Sequence, residues 1–248
     1  MPYASQFHRK MKNWTQITDE LVEGLDGLTF GPPVKHVYNP LRYARDAYDL
    51  YLERYGDPPK EVVLLGMNPG PWGMAQTGVP FGEINLVINW LGIQTPIGSP
   101  RNPHPRKPVD GFECARSEVS GRRLWGWIQK TFDTPQKFFR RFFVANYCPL
   151  LFLDSNGRNL TPDKLKAAER SPLLAVCDHA LRQTIAFLAP AHVVGIGKFA
   201  AKRADEVLAE MALTVGAITH PSPANPKANR GWAEHIVKEL QKLGIRIP

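Results

Sequence analysis

Residues 61–83 read EVVLLGMNPGPWGMAQTGVPFGE, and the interpretation of the whole chain starts there. The apolar run at 61–65 is typical of a buried strand, and residues 84–91 are patterned like a helix. Between them, residues 66–83 contain five glycines, three prolines and a single charged residue. A loop of this composition gives up local stability so that its backbone can approach a flat ligand closely.

Two side chains of this loop are suited to hold such a ligand. Asn68 follows the strand and supplies an amide, and Phe81 near the far end supplies a ring. A pocket of this kind suits a base that has left a nucleic-acid stack. Each residue also has an ordinary alternative, because Asn before Pro is commonly a turn residue and Phe is commonly part of the core.

The composition is that of a globular protein with one substantial α/β domain. The chain has 248 residues, of which 43% are hydrophobic, and this length allows a large core. We predict a single domain over residues 1–248, with residues 1–37 forming an N-terminal extension packed on it. No apolar run approaches the length of a membrane span, and residues 1–14 lack the apolar core of a signal peptide.

Charge and cysteine content bear on the partner and the compartment. The net charge of +8 fits an anionic partner and fits equally a basic soluble enzyme that binds no polyanion. The three cysteines form no CxxC motif, so neither a zinc site nor an iron–sulfur cluster is predicted. We expect a monomer in a reducing compartment, cytoplasmic in a bacterium or nuclear in a eukaryote, and not secreted.

Short apolar strands alternate with helices along the chain. Helices are predicted to begin at Pro40 after an Asn39 cap, at Ser120 and at Ser171-Pro172, and to span residues 198–211 and 231–243. The strand candidates are residues 62–65, 142–146, 192–196 and 213–218. This alternation predicts an α/β fold: a three-layer single domain with a central four-stranded, mostly parallel sheet flanked by helices.

The unusual polar residues follow these strands. Asn68 comes after the first strand, Asn146 after the second, residues 195–198 (GIGK) after the third and His220 after the fourth. Ligands of open parallel sheets bind beyond the carboxyl ends of the strands. We therefore expect these residues to meet at one edge of the sheet.

The segment after the last strand, residues 220–232, reads HPSPANPKANRGW. Its prolines exclude regular structure, and a rigid loop carrying Lys227 and Arg230 suits insertion into a nucleic-acid groove. The alternative is a surface turn with a structural histidine, and this segment taken alone favours that alternative.

Six collinear motifs together resemble the single-strand-selective monofunctional uracil-DNA glycosylases, within the uracil-DNA glycosylase superfamily. The resemblance covers about residues 38–245, and each motif is long enough to make chance agreement improbable. It implies a single α/β domain around a four-stranded, largely parallel sheet. The motifs are residues 66–83, 104–121, 143–150 (FVANYCPL), 155–161, 193–204 and 220–232.

The resemblance implies roles for four side chains. Asn68 matches the residue that positions the attacking water, and Phe81 matches the ring that stacks on the flipped base. Asn146 matches the amide that reads the edge of uracil, because Asn can accept from N3–H and donate to O4. His220 matches the residue that donates to uracil O2 as negative charge develops there.

Further residues are assigned to the substrate pocket and to DNA. Met67, Gly70 and Met74 are assigned to the pocket, and the last two match backbone positions beside the 5-substituent of uracil. Residues 195–198 open a helix whose N–H groups can bind a phosphate, whereas Lys198, Lys202 and Arg203 fit a solvated helix face equally well. The DNA-binding assignments are Gly197, Lys198, Pro221, Ser222, Pro223, Ala224, Asn225, Lys227, Asn229 and Arg230.

One absence, relative to another branch of the superfamily, and two departures from the resembled family are notable. No acid stands beside Asn68, where the classical uracil glycosylase branch has a general base, and Glu83 is expected to serve a helix N-terminus instead. Trp72 stands where Phe is common. Ala224 stands where some vertebrate members carry a wedge Arg.

The resemblance implies a monofunctional DNA glycosylase, which we expect to use no metal and no cofactor. The expected substrates are uracil, 5-hydroxymethyluracil and xanthine in single- and double-stranded DNA, and the abasic product passes to downstream repair enzymes. Two alternatives stay open: a non-catalytic binder of damaged or single-stranded DNA, and an enzyme that hydrolyses free nucleosides.

Overall fold

Four strands form a fully parallel sheet in a computed structural model that describes the backbone of residues 2–248 and the side chains of residues 13–248. This confirms the predicted four-stranded sheet. Across the sheet the strands lie in the order Phe142–Asn146, Val62–Gly66, His192–Ile196 and Thr214–Ile218. The strands among the described residues are β1 (His36–Tyr38), β2 (Val62–Gly66), β3 (Phe142–Asn146), β4 (Leu151–Leu153), β5 (Asn159–Leu160), β6 (His192–Ile196) and β7 (Thr214–Ile218).

Helices surround this sheet, as the predicted α/β class requires. Three short 3₁₀ helices also occur, at Gly111–Glu113, Pro162–Lys164 and Pro226–Asn229. The α-helices are α1 (Pro2–Asp26), α2 (Pro40–Tyr43), α3 (Arg45–Tyr55), α4 (Met74–Thr77), α5 (Ile84–Asn89), α6 (Val119–Phe132), α7 (Pro135–Phe139), α8 (Ala167–Leu188), α9 (Lys198–Val207) and α10 (Trp232–Lys242).

The strand register places the carboxyl ends together. Gly66 at the end of β2 pairs with Asn146 at the end of β3, and Ile196 at the end of β6 pairs with Ile218 at the end of β7. The loops that leave these four strands therefore start from one edge of the sheet. The apolar run of β2 is fully buried between its two neighbours.

A second sheet was not predicted. It is antiparallel, has the order β1–β4–β5, and its strands are only two or three residues long. Strands this short carry no readable alternation of polar and apolar residues. Its central strand, β4, begins at Leu151, soon after β3 ends at Asn146.

Several predicted element boundaries were wrong. The helix after Asn39 is interrupted at Ala44, whose φ of −119° is not helical. Helix α8 begins at Ala167 and includes Pro172; only one turn precedes that proline, so few helical hydrogen bonds are lost. Helix α9 ends at Val207 instead of residue 211, and the loop after His220 contains the 3₁₀ helix Pro226–Asn229.

The described part of the N-terminal segment packs on the core through Trp14. Its indole Nε1 donates to the carbonyl of Gly56 over 2.9 Å, and its ring stacks on Phe143 with centroids 5.7 Å apart. Helix α1 lies against α8. Among the described residues, no helix has both the length and the apolar character needed to cross a membrane.

Candidate active site

A cavity of about 370 Å³ lies where the four parallel strands end. It brings together all seven predicted catalytic and substrate-binding residues. It is also lined by residues that the sequence did not single out. The lining consists of Met67, Asn68, Pro69, Gly70, Pro71, Gly73, Met74, Phe81, Glu118, Ser120, Asn146, Asn159, Thr161, His220 and Ser222.

Asn68 lines this cavity, and a backbone carbonyl orients its side-chain amide. Its Nδ2 donates to the carbonyl of Leu150 over 3.1 Å. Because a carbonyl only accepts hydrogen bonds, this contact fixes which end of the amide is nitrogen. The Oδ1 atom is left as an acceptor, which suits orienting a water molecule but not removing its proton.

Asn146 carries an unsatisfied hydrogen-bond acceptor. Its Oδ1 is buried and has no hydrogen-bond partner within the described part of the chain, whereas buried polar atoms are normally paired. Its Nδ2 faces Met74 Sδ at 3.2 Å, and sulfur is a weak acceptor. The amide is therefore ready to accept from one ligand group and donate to another.

Phe81 is held as a wall of the cavity by an unusual backbone. Its φ is +55°, a conformation that costs a non-glycine residue about 1–3 kcal/mol. The carbonyl of Pro80 accepts from Trp125 Nε1 over 3.1 Å. A Cβ on Gly66 would lie 2.5 Å from Phe81 Cε2 and 2.3 Å from Asn146 Oδ1. Glycine at 66 therefore lets the ring and the amide meet at the strand end.

His220 is a neutral hydrogen-bond donor. Its Nδ1 accepts from the backbone N–H of Ser222 over 3.0 Å, so the ring proton resides on Nε2. Burial lowers the pKa of His220 to about 4, because desolvation disfavours the charged imidazolium. Its ring lies 6.2 Å from that of Phe81, and Gly197, with φ of +96°, packs against its Cβ.

Glu118 is the main site residue that the sequence analysis missed. Its carboxylate lies so close to Gly70 that a Cβ there would meet Oε2 at 2.3 Å. Burial raises the pKa of Glu118, and the backbone amides of Trp72 and Ser120 offset this in part. The cavity therefore does contain a carboxyl group, contributed from a distant part of the sequence. Its place in the quoted motif 104–121 was the available signal.

Glu83 lies outside the cavity lining and serves the helix end that was predicted for it. Its side chain accepts from the backbone N–H of Leu86 over 3.1 Å and from Ser117 Oγ over 2.9 Å. It is the N-cap of α5.

The loop after His220 is braced from within the protein. Arg123, also missed, donates to the carbonyl of Pro221 and to Asn229 Oδ1, both over 2.8 Å. The Asn229 amide nitrogen donates to Pro223. Asn225 Nδ2 donates to the carbonyl of His220 over 3.2 Å. The exposed members of the predicted DNA-binding set are Lys198, Pro223, Ala224, Lys227, Asn229 and Arg230, whereas Pro221 is buried and Ser222 lines the cavity.

The three cations of α9 differ in exposure and in ion pairing. Arg203 is only 17% exposed and pairs with Asp178 and Glu206, and Lys202 pairs with Glu206 over 3.6 Å. Lys198 is exposed at the first position of the helix, next to Gly197. Only Lys198 among these three cations has no carboxylate partner in the described residues.

Comparisons with known proteins identify the relatives of this chain. Residues 53–242 match the model of the family described as the uracil DNA glycosylase superfamily. A "Single-strand selective monofunctional uracil-DNA glycosylase" of Rattus norvegicus is 50% identical over 89% of this chain and 80% of its own length. The protein of that name in Bos taurus is 46% identical over 93% of this chain and 84% of its own length.

A solved structure supports the fold. "The crystal structure of WT Pedobacter heparinus SMUG2" superposes with a TM-score of 0.65, covering 92% of this chain and 98% of that chain at 19% identity. The predicted fold type is confirmed at the level of overall architecture.

Proposed function

Because this chain belongs to the single-strand-selective monofunctional uracil-DNA glycosylase family, and is an enzyme of the uracil-DNA glycosylase superfamily, we propose that it hydrolyses the N-glycosidic bond of uracil in DNA. The products are free uracil and an abasic site. The same proposal assigns Asn68 and His220 to catalysis, and the other cavity residues named from the sequence to substrate binding.

The buried Oδ1 of Asn146 is the observation that carries this proposal. An unpaired buried acceptor requires a donor from the ligand, and uracil presents N3–H at that edge beside the O4 acceptor. Cytosine presents the reverse pattern. An inverted Asn146 amide would place its oxygen against Met74 Sδ, which lies 3.2 Å from the present nitrogen. A base that leaves these groups unpaired loses about 1–3 kcal/mol for each.

The residues fit a reaction in which the glycosidic bond is largely broken before water attacks. The sugar then resembles an oxocarbenium ion, and a weak nucleophile suffices. Asn68 Oδ1 orients the water by accepting one of its hydrogens. His220 Nε2–H donates to uracil O2 as negative charge develops on the leaving base, and a preorganised neutral dipole is adequate for this.

Several finer statements are also part of the proposal. We extend the substrates to 5-hydroxymethyluracil and xanthine, in single- and double-stranded DNA. The assignment of Gly70 and Met74, which both line the cavity, to the 5-substituent side of uracil supports the first of these substrates. We also propose a monomer with a single domain over residues 1–248, acting in the bacterial cytoplasm or the nucleus and handing its product to abasic-site repair enzymes.

One assay distinguishes this function from its alternatives. A labelled single-stranded oligonucleotide with one uracil is incubated with the enzyme, treated with alkali and resolved on a gel, with free deoxyuridine tested in parallel. The proposal is supported if the oligonucleotide is cleaved and deoxyuridine is not. Binding without cleavage favours the non-catalytic binder, and release of uracil from deoxyuridine alone favours a nucleoside hydrolase. Cytosine DNA and Asn146→Ala serve as selectivity controls.

A further inference from the structure

Trp72, at the rim of the cavity, holds two cations against its ring. Lys107 Nζ lies 4.5 Å from the ring centroid, and the guanidinium carbon of Arg116 lies 4.9 Å from it. The neighbours of Trp72 on both sides, Pro71 and Gly73, line the cavity. The two positive charges therefore contact a residue whose chain neighbours both line the cavity where the base is proposed to bind.

These charges lack a carboxylate partner. Neither Lys107 nor Arg116 forms an ion pair with any acid in residues 13–248. Desolvation lowers the pKa of Lys107, and the nearby positive charges of Arg116 and Arg106 lower it further. Like charges held together without a counter-charge favour binding of an anion.

A buried glutamine fixes the backbone beside the cluster formed by Trp72, Lys107 and Arg116. Gln76 is 1% exposed, and its Nε2 donates to the carbonyls of Pro71 and Pro108, each over 2.9 Å. Its Oε1 accepts from the backbone of Asp110 and Gly111. The Gln76 side chain thus links the backbone at residue 71 to the backbone at residues 108–111.

Tyr38 fixes the Lys107 backbone from the other side. Its hydroxyl donates to the carbonyl of Lys107 over 2.7 Å and accepts from the backbone N–H of His104 over 2.6 Å. His104 also forms a β-bridge with Lys107. Lys107 therefore extends from a rigid turn, which suits recognition of a group in a defined position.

We propose that Lys107 and Arg116, held on Trp72, form a phosphate-binding clamp for the DNA strand that carries the excised base. This clamp is separate from the loop of residues 220–232 and rests on the proposed function, since its ligand is a backbone phosphate beside the base in the cavity. A planar guanidinium and an ammonium can share the oxygens of one phosphate.

The test is a scan of single phosphates. Single-stranded oligonucleotides carry 2′-fluoro-2′-deoxyuridine, whose glycosidic bond resists cleavage, and one neutral methylphosphonate placed at each linkage in turn. For the wild-type protein, we expect neutralisation of one flanking phosphate to weaken binding about tenfold, the scale of one charge-assisted hydrogen bond. In Lys107→Gln/Arg116→Gln, neutralising that linkage should no longer change the binding affinity.

The salt dependence gives a second measurement. The double variant should lose about 0.7 from the slope of log affinity against log salt, the value for one phosphate of a single strand. Arg140→Gln/Arg246→Gln removes the same charge at the opposite, amino-terminal edge of the sheet, where both side chains are exposed. This control should keep the wild-type slope and methylphosphonate profile.

Trp72 itself is tested with all charges retained. Trp72→Leu should weaken binding and reduce the methylphosphonate effect, because the cations are no longer held together, whereas Trp72→Phe should restore much of it. The proposal is overturned if the double variant keeps the wild-type slope and profile, or if the control changes them equally. Uracil excision by the wild-type enzyme, measured alongside, shows separately whether the proposed function holds.

Discussion

The backbone N–H of Ser222 donates to Nδ1 of His220 over 3.0 Å, and this contact determines the tautomer of the histidine. We predict that long-range ¹⁵N spectra will show an unprotonated Nδ1 and a protonated Nε2 at neutral pH. The pKa should be about 4, below the usual 6.5. The folded state then binds fewer protons than the unfolded state between these values, so stability falls as pH decreases from 6.5 to 4.

The resonance is assigned with His220→Gln. A titration near pH 6.5, or a proton on Nδ1, contradicts the assigned geometry.

His220→Leu tests the role of that donor in the reaction. The substitution removes the donor and roughly keeps the side-chain bulk, so we expect about 10²–10³-fold slower single-turnover excision of uracil. 5-Fluorouracil leaves more readily as an anion, so the variant should lose distinctly less on that base. Both substrates meet the same protein, which cancels defects in folding. Equal losses would indicate that His220 mainly shapes the loop or holds DNA.

Asn68→Ala removes the acceptor that is proposed to orient water. We expect at least about a hundredfold slower single-turnover excision, with binding to uracil DNA retained. The carbonyl of Leu150 also loses its donor, so thermal unfolding is recorded as a control for stability. A loss under about threefold removes Asn68 from the mechanism.

Gly70 and Glu118 should behave as a coupled pair. In Gly70→Ala the new methyl group meets the Glu118 carboxylate at 2.3 Å, and displacing that group should slow excision. Glu118→Ala removes the clash. The rate loss of the double variant should therefore be smaller than the product of the rate losses of the two single variants. Contacting residues commonly couple by about 0.5–3 kcal/mol. Strictly multiplicative rate losses indicate that the carboxylate moves aside without consequence.

Lys227 and Arg230, both exposed on the loop after His220, are predicted to contact phosphates. Replacing both with Gln should weaken binding to all DNA sequences. The salt slope for duplex DNA should become shallower by about 0.9 for each lost contact. An unchanged slope with slower excision assigns the loop a role in shaping the site.

The sheet was predictable because its strands are short apolar runs separated by helices, and their carboxyl ends meet by the geometry of parallel pairing. That geometry also brought Asn68, Asn146 and His220 to one cavity. Helix ends were less predictable. Pro172 is a strong start signal, yet tertiary packing extends α8 one turn before it.

Contacts between distant segments account for what the sequence analysis missed. Glu118 reaches Gly70 across 48 residues of sequence, and nothing in the local sequence distinguishes it from any other acid before a helix. Arg123 likewise is one of several basic residues on α6 until the fold places it under the loop of Pro221 and Asn229. The resemblance included Glu118 in motif 104–121 but assigned it no task, and Arg123 lies outside the six motifs.

Gln76 has all four of its amide hydrogen-bond contacts filled by the protein itself. The rim of the cavity therefore has its working shape before any ligand arrives, and association requires no slow rearrangement of this segment. We expect the rate of productive binding to depend on how readily the nucleic acid releases a base from its stack. A base without a pairing partner is released most easily. We therefore expect any strand preference to follow from how easily each strand releases its base, and not from a movement of this segment of the enzyme.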